Sequence, residues 1–134
     1  EWILKTEIKD KIQVLMDNNM EEDIFRLLCN CLEKDYAFYR KAYEITGQNS
    51  FEELMSDYIY HLFLQILSKY PLKAPDKLAI LTIEAIARFY TFGLADSLKY
   101  WICQDTLFSG EEVHAAYNYI IRNSVLDLLE YPLR

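Results

Sequence analysis

The sequence predicts an all-α fold, a bundle of five to six helices that forms one domain over residues 1–134. Apolar residues recur with the 3.6-residue period of an α-helix, and no strand-like alternation of useful length is present. The chain has only three Gly and three Pro, too few for a turn-rich all-β fold or for a glycine loop that binds phosphate. Its length fits one domain, at roughly 100–200 residues per domain.

The first two predicted helices cover residues 1–17 and 20–45. The first has an apolar stripe formed by Leu4, Ile8, Ile12 and Leu15. The second begins with three acidic residues at 21–23, which suit the positive end of a helix dipole, and Gly47 stands at its C-cap. We therefore expect one continuous helix between these two signals.

The third predicted helix covers residues 51–70 and starts at a capping motif. Ser50 is followed three residues later by Glu53, the spacing of a capping box. Charged and polar residues repeat every fourth position at Glu53, Asp57, His61, Gln65 and Lys69. This line predicts a solvated face on which His61 contacts Asp57.

The fourth and fifth predicted helices follow the loop at 71–75. The fourth covers residues 76–104, with its charged residues confined to about a third of the helix circumference. We expect it to be buried on most of its surface, with a kink or a close neighbour at Gly93. Ser109 is the predicted cap of the last helix, whose apolar face consists of Val113, Ala116, Tyr117, Ile120, Ile121 and Leu128.

The net charge and the cysteine content limit the classes of function that the sequence allows. The net charge is −7, which repels the phosphate backbone of DNA, so these residues alone should not bind nucleic acid. No apolar stretch is long enough to span a bilayer. Cys29 and Cys31 are two residues apart on a helix and point in opposite directions, so they cannot share a zinc ion. We expect reduced thiols, no metal, no cofactor and a cytoplasmic location.

Asp35 is the residue that stands out chemically. On a continuous second helix it lies opposite the solvent face, where a carboxylate must be hydrogen-bonded or neutral. It is either a core residue satisfied by a Tyr hydroxyl or the polar anchor of an apolar ligand pocket. The residues expected to line that pocket face inward on their own helices: Phe38, Tyr39, Met55, Leu62, Ile86 and Tyr90. No nucleophile or paired-carboxylate motif is present, so we expect no enzyme.

Two stretches near the end of the chain resemble a known family. Residues 89–102, Phe-Tyr-Thr-Phe-Gly-Leu-Ala-Asp-Ser-Leu-Lys-Tyr-Trp-Ile, and 109–113, Ser-Gly-Glu-Glu-Val, resemble the last two helices of tetracycline-repressor (TetR) family transcriptional regulators. Gly110 stands where the family usually has Pro. Residues 38–42 with 47–51 resemble a subgroup that includes regulators of dihydroxyacetone-kinase operons. Glu1-Trp2-Ile3 resembles the start of the helix that follows the DNA-binding head.

The resemblance implies a regulatory domain whose DNA-binding head is absent from this sequence. Family members are dimers that bind DNA through an N-terminal helix-turn-helix, and their all-α C-terminal domain dimerises through its last two helices and often holds a small molecule. We therefore expect a homodimer that responds to a small-molecule effector or a regulatory protein, by a population shift that changes the spacing of two DNA heads. The expected interface residues are Leu94, Leu98, Trp101, Tyr117, Ile120, Ile121 and Leu128.

Two other functions stay open at this point. A helical adaptor that binds only another protein would have a well-filled core and no pocket. A small helical-bundle enzyme, the third hypothesis, would need perturbed acids and bases gathered in a cleft.

The charge balance makes a direct prediction about DNA. We expect the 134-residue chain to leave duplex DNA unshifted in an electrophoretic mobility assay at submicromolar protein, because its net charge is −7 and its basic residues are interleaved with acids. A salt-sensitive shift of any DNA fragment would contradict this expectation.

Overall fold

A computed structural model describes residues 6–73, 78–105 and 107–130. Within these ranges the chain forms six α-helices, two short 3-10 turns and no strand, which confirms the all-α prediction. The helices are α1 (Thr6–Asp17), α2 (Ile24–Lys34), α3 (Tyr36–Glu44), α4 (Phe51–Lys69), α5 (Ile83–Ile102) and α6 (Gly110–Arg122). The 3-10 turns are Glu21–Asp23 and Val125–Leu128.

Helices α4 and α5 form the centre of the bundle. They run antiparallel, since the Phe63 ring stacks on Tyr90 at 5.8 Å between centroids while Lys99 reaches Glu52 at 2.8 Å near the opposite end. Helix α2 packs beside this pair, and α6 packs mainly on α2. The fully buried side chains come from five of the six helices: Ile12, Cys29, Leu32, Tyr39, Met55, Leu98 and Ile102.

Two predicted caps are confirmed. The Ser50 hydroxyl accepts a hydrogen bond from the Glu53 amide at 3.2 Å, while the Glu53 carboxylate accepts from the amide of Asn49. Ser109 and Glu112 form a reciprocal capping box at the start of α6. The short polar side chains at these positions satisfy amide groups that the first helical turn leaves without partners.

The second predicted helix is wrong as a single element. The chain breaks at Asp35, whose φ of −111° and ψ of 40° leave the helical region. The break lets α3 turn so that the Tyr43 ring packs edge-on against Phe51 at 4.8 Å and Arg40 donates to the carbonyl oxygen of Gln104 at 2.7 Å. The sequence has no Pro or Gly at this position that would indicate a break. The bend is stabilised by contacts with residues distant in sequence, so the local pattern does not predict it.

The fourth and fifth predicted helices also need correction. Helix α5 starts at Ile83, where the Thr82 hydroxyl accepts from the Ala85 amide, and residues 78–82 are not helical. The predicted start at 76 lies within 74–77, outside the described residues. Helix α6 ends at Arg122, so Leu128 belongs to the second 3-10 turn and not to the face of α6.

Gly110 allows α6 to approach α2 closely. A Cβ atom at this position would lie 2.5 Å from Asn30 Oδ1 and 2.8 Å from the carbonyl oxygen of Cys29. The amide of Gly110 also donates to the Glu33 carboxylate at 2.8 Å. Gly110, which stands where the resembling family usually has Pro, is therefore required because the backbones of α6 and α2 lie close together at this point.

We predict that Gly110→Ala destabilises the fold by about 1–3 kcal/mol, because the added methyl meets backbone atoms that cannot move aside. The matched control is Gly93→Ala in α5, where an added Cβ meets nothing within 4 Å. That change should stabilise the protein by about 0.5–1 kcal/mol, because Ala has the better helix propensity. Urea denaturation of both variants tests the pair, and equal effects would contradict it.

Candidate functional site

An apolar cleft lies between α2, α4 and α5. It has a volume of about 100 Å³. Nine of its ten lining residues are apolar, and the tenth is Glu21: Glu21, Ile24, Phe25, Leu28, Ile59, Leu62, Phe63, Ile66, Leu94 and Leu98. A mainly apolar concave site with one charged group is the usual composition of a small-molecule site.

A cluster of polar contacts surrounds Glu21. Its carboxylate accepts from the Lys69 ammonium group and from the Tyr70 hydroxyl, the latter at 3.1 Å. Lys69 also donates to the carbonyl oxygen of Met16, and the Tyr70 hydroxyl shares its single hydrogen between Glu21 and the Asn19 side-chain oxygen, which is also at 3.1 Å. The cluster therefore joins the end of α1, the Glu21–Asp23 turn and the end of α4.

Glu21 and Lys69 each stabilise the charged form of the other. The hydrogen bond from Lys69 lowers the pKa of Glu21, and the same bond raises the pKa of Lys69. The Glu21 side chain is only 12% exposed, whereas both partners of the Lys99–Glu52 pair are more than a third exposed. Screening by water is weaker at Glu21, so this pair stabilises the fold more than an open surface pair does.

The structure does not bring the predicted pocket residues together in one site. Only Leu62 lines the cleft, while Tyr39 and Met55 lie in the core. Ile86 and Tyr90 are half-buried on α5, and Phe38 is 54% exposed, so its predicted inward orientation is wrong. Asp35 is half-buried at the junction of α2 and α3. A helical wheel drawn through the break at Asp35 places Tyr39 correctly in the core but Phe38 on the wrong side.

Two tyrosine hydroxyls remain without hydrogen-bond partners among the described residues. The hydroxyl oxygens of Tyr39 and Tyr43 are fully buried. Burial raises the pKa of Tyr39 to about 12, with a smaller contribution from Asp35, and burial raises the pKa of Tyr43 further. Both rings pack against Phe51, so they act as core residues.

The predicted interface residues also separate into two groups. Leu98 and Trp101 are buried inside the chain, and the Trp101 indole donates to the carbonyl oxygen of Phe108 at 2.9 Å. Little of either side chain reaches the surface, and Leu94 faces the cleft, so these three residues do not form an exposed helical face. Ile120, Ile121 and Leu128 are exposed, and Tyr117 is half-buried.

The sequence pattern did not indicate which apolar residues of α5 face water. Phe89, Phe92 and Tyr100 are 76%, 81% and 62% exposed, which contradicts the expectation that this helix is buried on most of its surface. On α6 the exposed apolar residues are Tyr119, Ile120 and Ile121. Spacings of three and eight residues place the three rings of α5 on one side of the helix, so they form a single exposed apolar patch.

A groove of about 510 Å³ lies where α5 and α6 diverge. We call it the α5–α6 groove, and its lining residues are Tyr100, Trp101, Gln104, Phe108, Glu112, Val113, Ala116, Tyr117 and Ile120. Most of this lining is apolar.

Comparison with known families assigns the chain. The family model described as "Transcriptional regulator C-terminal region", of the TetR type, matches residues 7–123. The chain belongs to the TetR family, as its C-terminal region. No curated protein and no solved structure matches the chain at a significant level. The dihydroxyacetone-kinase-operon subgroup stays a prediction.

Metal binding and thiol chemistry find no support among the described residues of this TetR-family domain. Among the described residues no group of three His, Cys, Asp or Glu side chains could hold a metal ion. Burial raises the pKa of Cys29 to about 12, so its thiol is unreactive. His61 contacts Asp57 on the surface as predicted, with its Nδ1 atom 2.8 Å from the Asp57 carbonyl oxygen. No helix in the described ranges is long and apolar enough to cross a membrane.

The sequence carried only a weak signal for the Glu21 cluster. Glu21 belongs to an acidic first turn, and Lys69 continues a solvated line on α4. Their partnership joins positions 48 residues apart, so neither helix pattern indicates it. Only the crossing of α4 with the end of α1 brings the two charges together.

We predict that Lys69→Met lowers the urea midpoint of the TetR-family domain at pH 7, because Glu21 loses its partner. The folded-state pKa of Glu21 lies below its ordinary value of 4.5, so the stability from this pair is present above pH 4.5 and is lost as the pH falls through the folded-state pKa. The difference between wild type and variant should therefore shrink below pH 4.5. Lys99→Met is the matched control and should change the midpoint little; equal effects of the two variants would contradict the assignment.

Proposed function

We propose that this domain is the dimerisation and effector-sensing part of a cytoplasmic TetR-family regulator, and that the apolar cleft holds the effector. The observation that carries the proposal is that Glu21 belongs both to the cleft wall and to the cluster at the end of α1. In the family the DNA-binding head precedes this domain, so α1 is the helix closest to the head. A molecule in the cleft thus acts on a residue that is linked to α1.

The mechanism is a population shift between two positions of α1. An effector that fills the cleft favours one arrangement of Glu21 and hence of Lys69, whose ammonium group also binds the last turn of α1 at the Met16 carbonyl. Effector binding can shift this equilibrium only by its differential affinity for the two arrangements. A change in the tilt of α1 in both subunits changes the spacing of the two DNA heads.

The size and lining of the cleft indicate the class of effector. An apolar protein cavity of roughly 150 Å³ accommodates benzene or xenon, and this cleft has about 100 Å³. The effector is therefore a small, mainly apolar molecule. A single hydroxyl or amine group on it would donate to the Glu21 carboxylate.

The exposed rings and isoleucine side chains of α5 and α6 form the proposed dimer surface. Phe89, Phe92, Tyr100, Tyr119, Ile120 and Ile121 together expose roughly 700 Å² per chain, at about 150–250 Å² for each fully exposed ring. A standard interface buries about 800 Å² per partner. The two helices of each chain would form an isologous contact across a two-fold axis.

We predict that xenon binds the cleft and that α1 responds. In methyl and amide NMR spectra, xenon should saturably shift the Leu62 and Leu94 methyl signals together with the amide signals of residues 16–19. Leu94→Phe should abolish both responses, because the larger side chain fills the cleft, while Ile80→Phe, at an exposed loop position, should leave them unchanged. Methyl shifts without an α1 response would reject the coupling, and no shifts at all would favour the adaptor function.

We predict that the domain sediments as a dimer of about 32 kDa at micromolar concentration, twice its 16.0 kDa mass. Phe92→Asp and Ile120→Asp should each convert it to a monomer, since a charge buried without a partner opposes association. Ile80→Asp, placed in the loop before α5, is the control and should remain dimeric. A wild-type monomer would end the dimer proposal.

A further inference from the structure

The chain continues past α6 as a short apolar segment, Ser124–Glu130, which we call the arm. Asn123 and Ser124 are extended, and the next four residues form a 3-10 turn. A reciprocal cap closes this turn, because the Ser124 hydroxyl accepts from the Asp127 amide and the Asp127 carboxylate accepts from the Ser124 amide at 3.1 Å. The arm is therefore ordered locally, which lowers the entropic cost of docking it elsewhere.

The arm leaves its apolar side chains in water. Val125, Leu128 and Leu129 are 70%, 41% and 58% exposed. Aliphatic side chains gathered on one short ordered turn are unfavourable in water and indicate a surface that covers them. The α5–α6 groove offers an apolar surface of suitable size, with the Phe108 and Tyr100 rings exposed at its edge.

The arm cannot easily reach the aromatic end of its own groove. It leaves from the C-terminal end of α6, whereas Phe108 and Val113 lie at the N-terminal end of that helix. The 13 residues of α6 span about 20 Å. To return over that distance the arm would have to reverse direction and stretch fully, at roughly 3.3 Å per residue, which would open the capped turn.

A second copy of the chain offers a groove that the arm can reach without reversing its direction. Two α6 helices related by a two-fold axis perpendicular to them run antiparallel, so the C-terminal end of one lies beside the N-terminal end of the other. The arm then meets the partner's groove without reversing. The groove shares Tyr100 and Ile120 with the dimer surface proposed above, so the two contacts are continuous.

We propose that each arm docks in the α5–α6 groove of a second copy of this chain, so that the dimer exchanges two arms. This inference rests on the proposed dimer. The helical surfaces alone would bury roughly 1,400 Å² in total, a standard interface, and two seated arms raise the total to about 2,000 Å², the size at which obligate homodimers begin. Val125, Leu128 and Leu129 supply the apolar contacts.

The first experiment measures the dimer dissociation constant by analytical ultracentrifugation. Leu128→Ser combined with Leu129→Ser should raise the constant at least tenfold and leave the thermal unfolding of the monomer unchanged, because both side chains are exposed in the single chain. Ile80→Ser is the matched control for the loss of an exposed aliphatic side chain. An unchanged constant in a dimeric protein overturns the arm exchange alone, whereas a wild-type monomer overturns the dimer proposal as well.

The second experiment identifies the contact. In a double-mutant cycle, Leu129→Ala and Phe108→Ala should each weaken the dimer, and their combined effect should be smaller than the product of the two. A photoreactive benzoylphenylalanine in place of Leu129 should cross-link to residues 100–120 and give a product of dimer mass. Additive effects, or a cross-linked product of monomer mass, overturn the exchange between copies.

Discussion

Helix α5 has more apolar surface than one chain can cover, and this constraint organises the domain. One side of the helix buries Leu98 and Ile102 in the core, where α4 and α2 pack against it. Another side carries Phe89, Phe92 and Tyr100 into water. Because the other helices of one chain cover only part of the circumference of α5, these rings stay exposed in the single chain, and the proposed dimer would cover them.

The same packing leaves the cleft. Helices α2, α4 and α5 converge without filling the space between Leu28, Leu62 and Leu94. The cleft has a volume of about 100 Å³ and opens to solvent, so it leaves apolar side chains in contact with water, and a ligand that covered them would gain the free energy of their burial. Its position beside Glu21 connects it to a polar cluster that reaches α1. The proposed effector site and the proposed link to α1 therefore consist of neighbouring residues.

Two stabilising arrangements hold the helices that surround this centre. Gly110 lets α6 touch the backbone of α2 at Cys29, and Glu111 adds a hydrogen bond from Asn30 at 2.8 Å and an ion pair with Arg26 at 3.2 Å. Lys69 and Tyr70 hold the end of α1 through Met16 and Asn19. Both arrangements include an ionised carboxylate, since hydrogen bonds lower the pKa of Glu111 in the first and of Glu21 in the second. Only the second includes a residue of the cleft wall, Glu21, and it is the one that holds α1.

The sequence by itself determined the fold class, the caps at Ser50 and Ser109, the approximate extent of α4, the end of α1 and the start of α6, because these depend on local periodicity and on hydrogen bonds within a few residues. It also carried the family resemblance. Only the tertiary structure decided that the chain breaks at Asp35, that Leu98 and Trp101 are internal while Phe92 is exposed, and that Glu21 meets Lys69. The physical reason is that each of these depends on which of several apolar faces packs inward, and α5 is apolar on nearly every side. Periodicity indicates that a helix exists, but the choice among equally apolar faces is made by the contacts of the other helices.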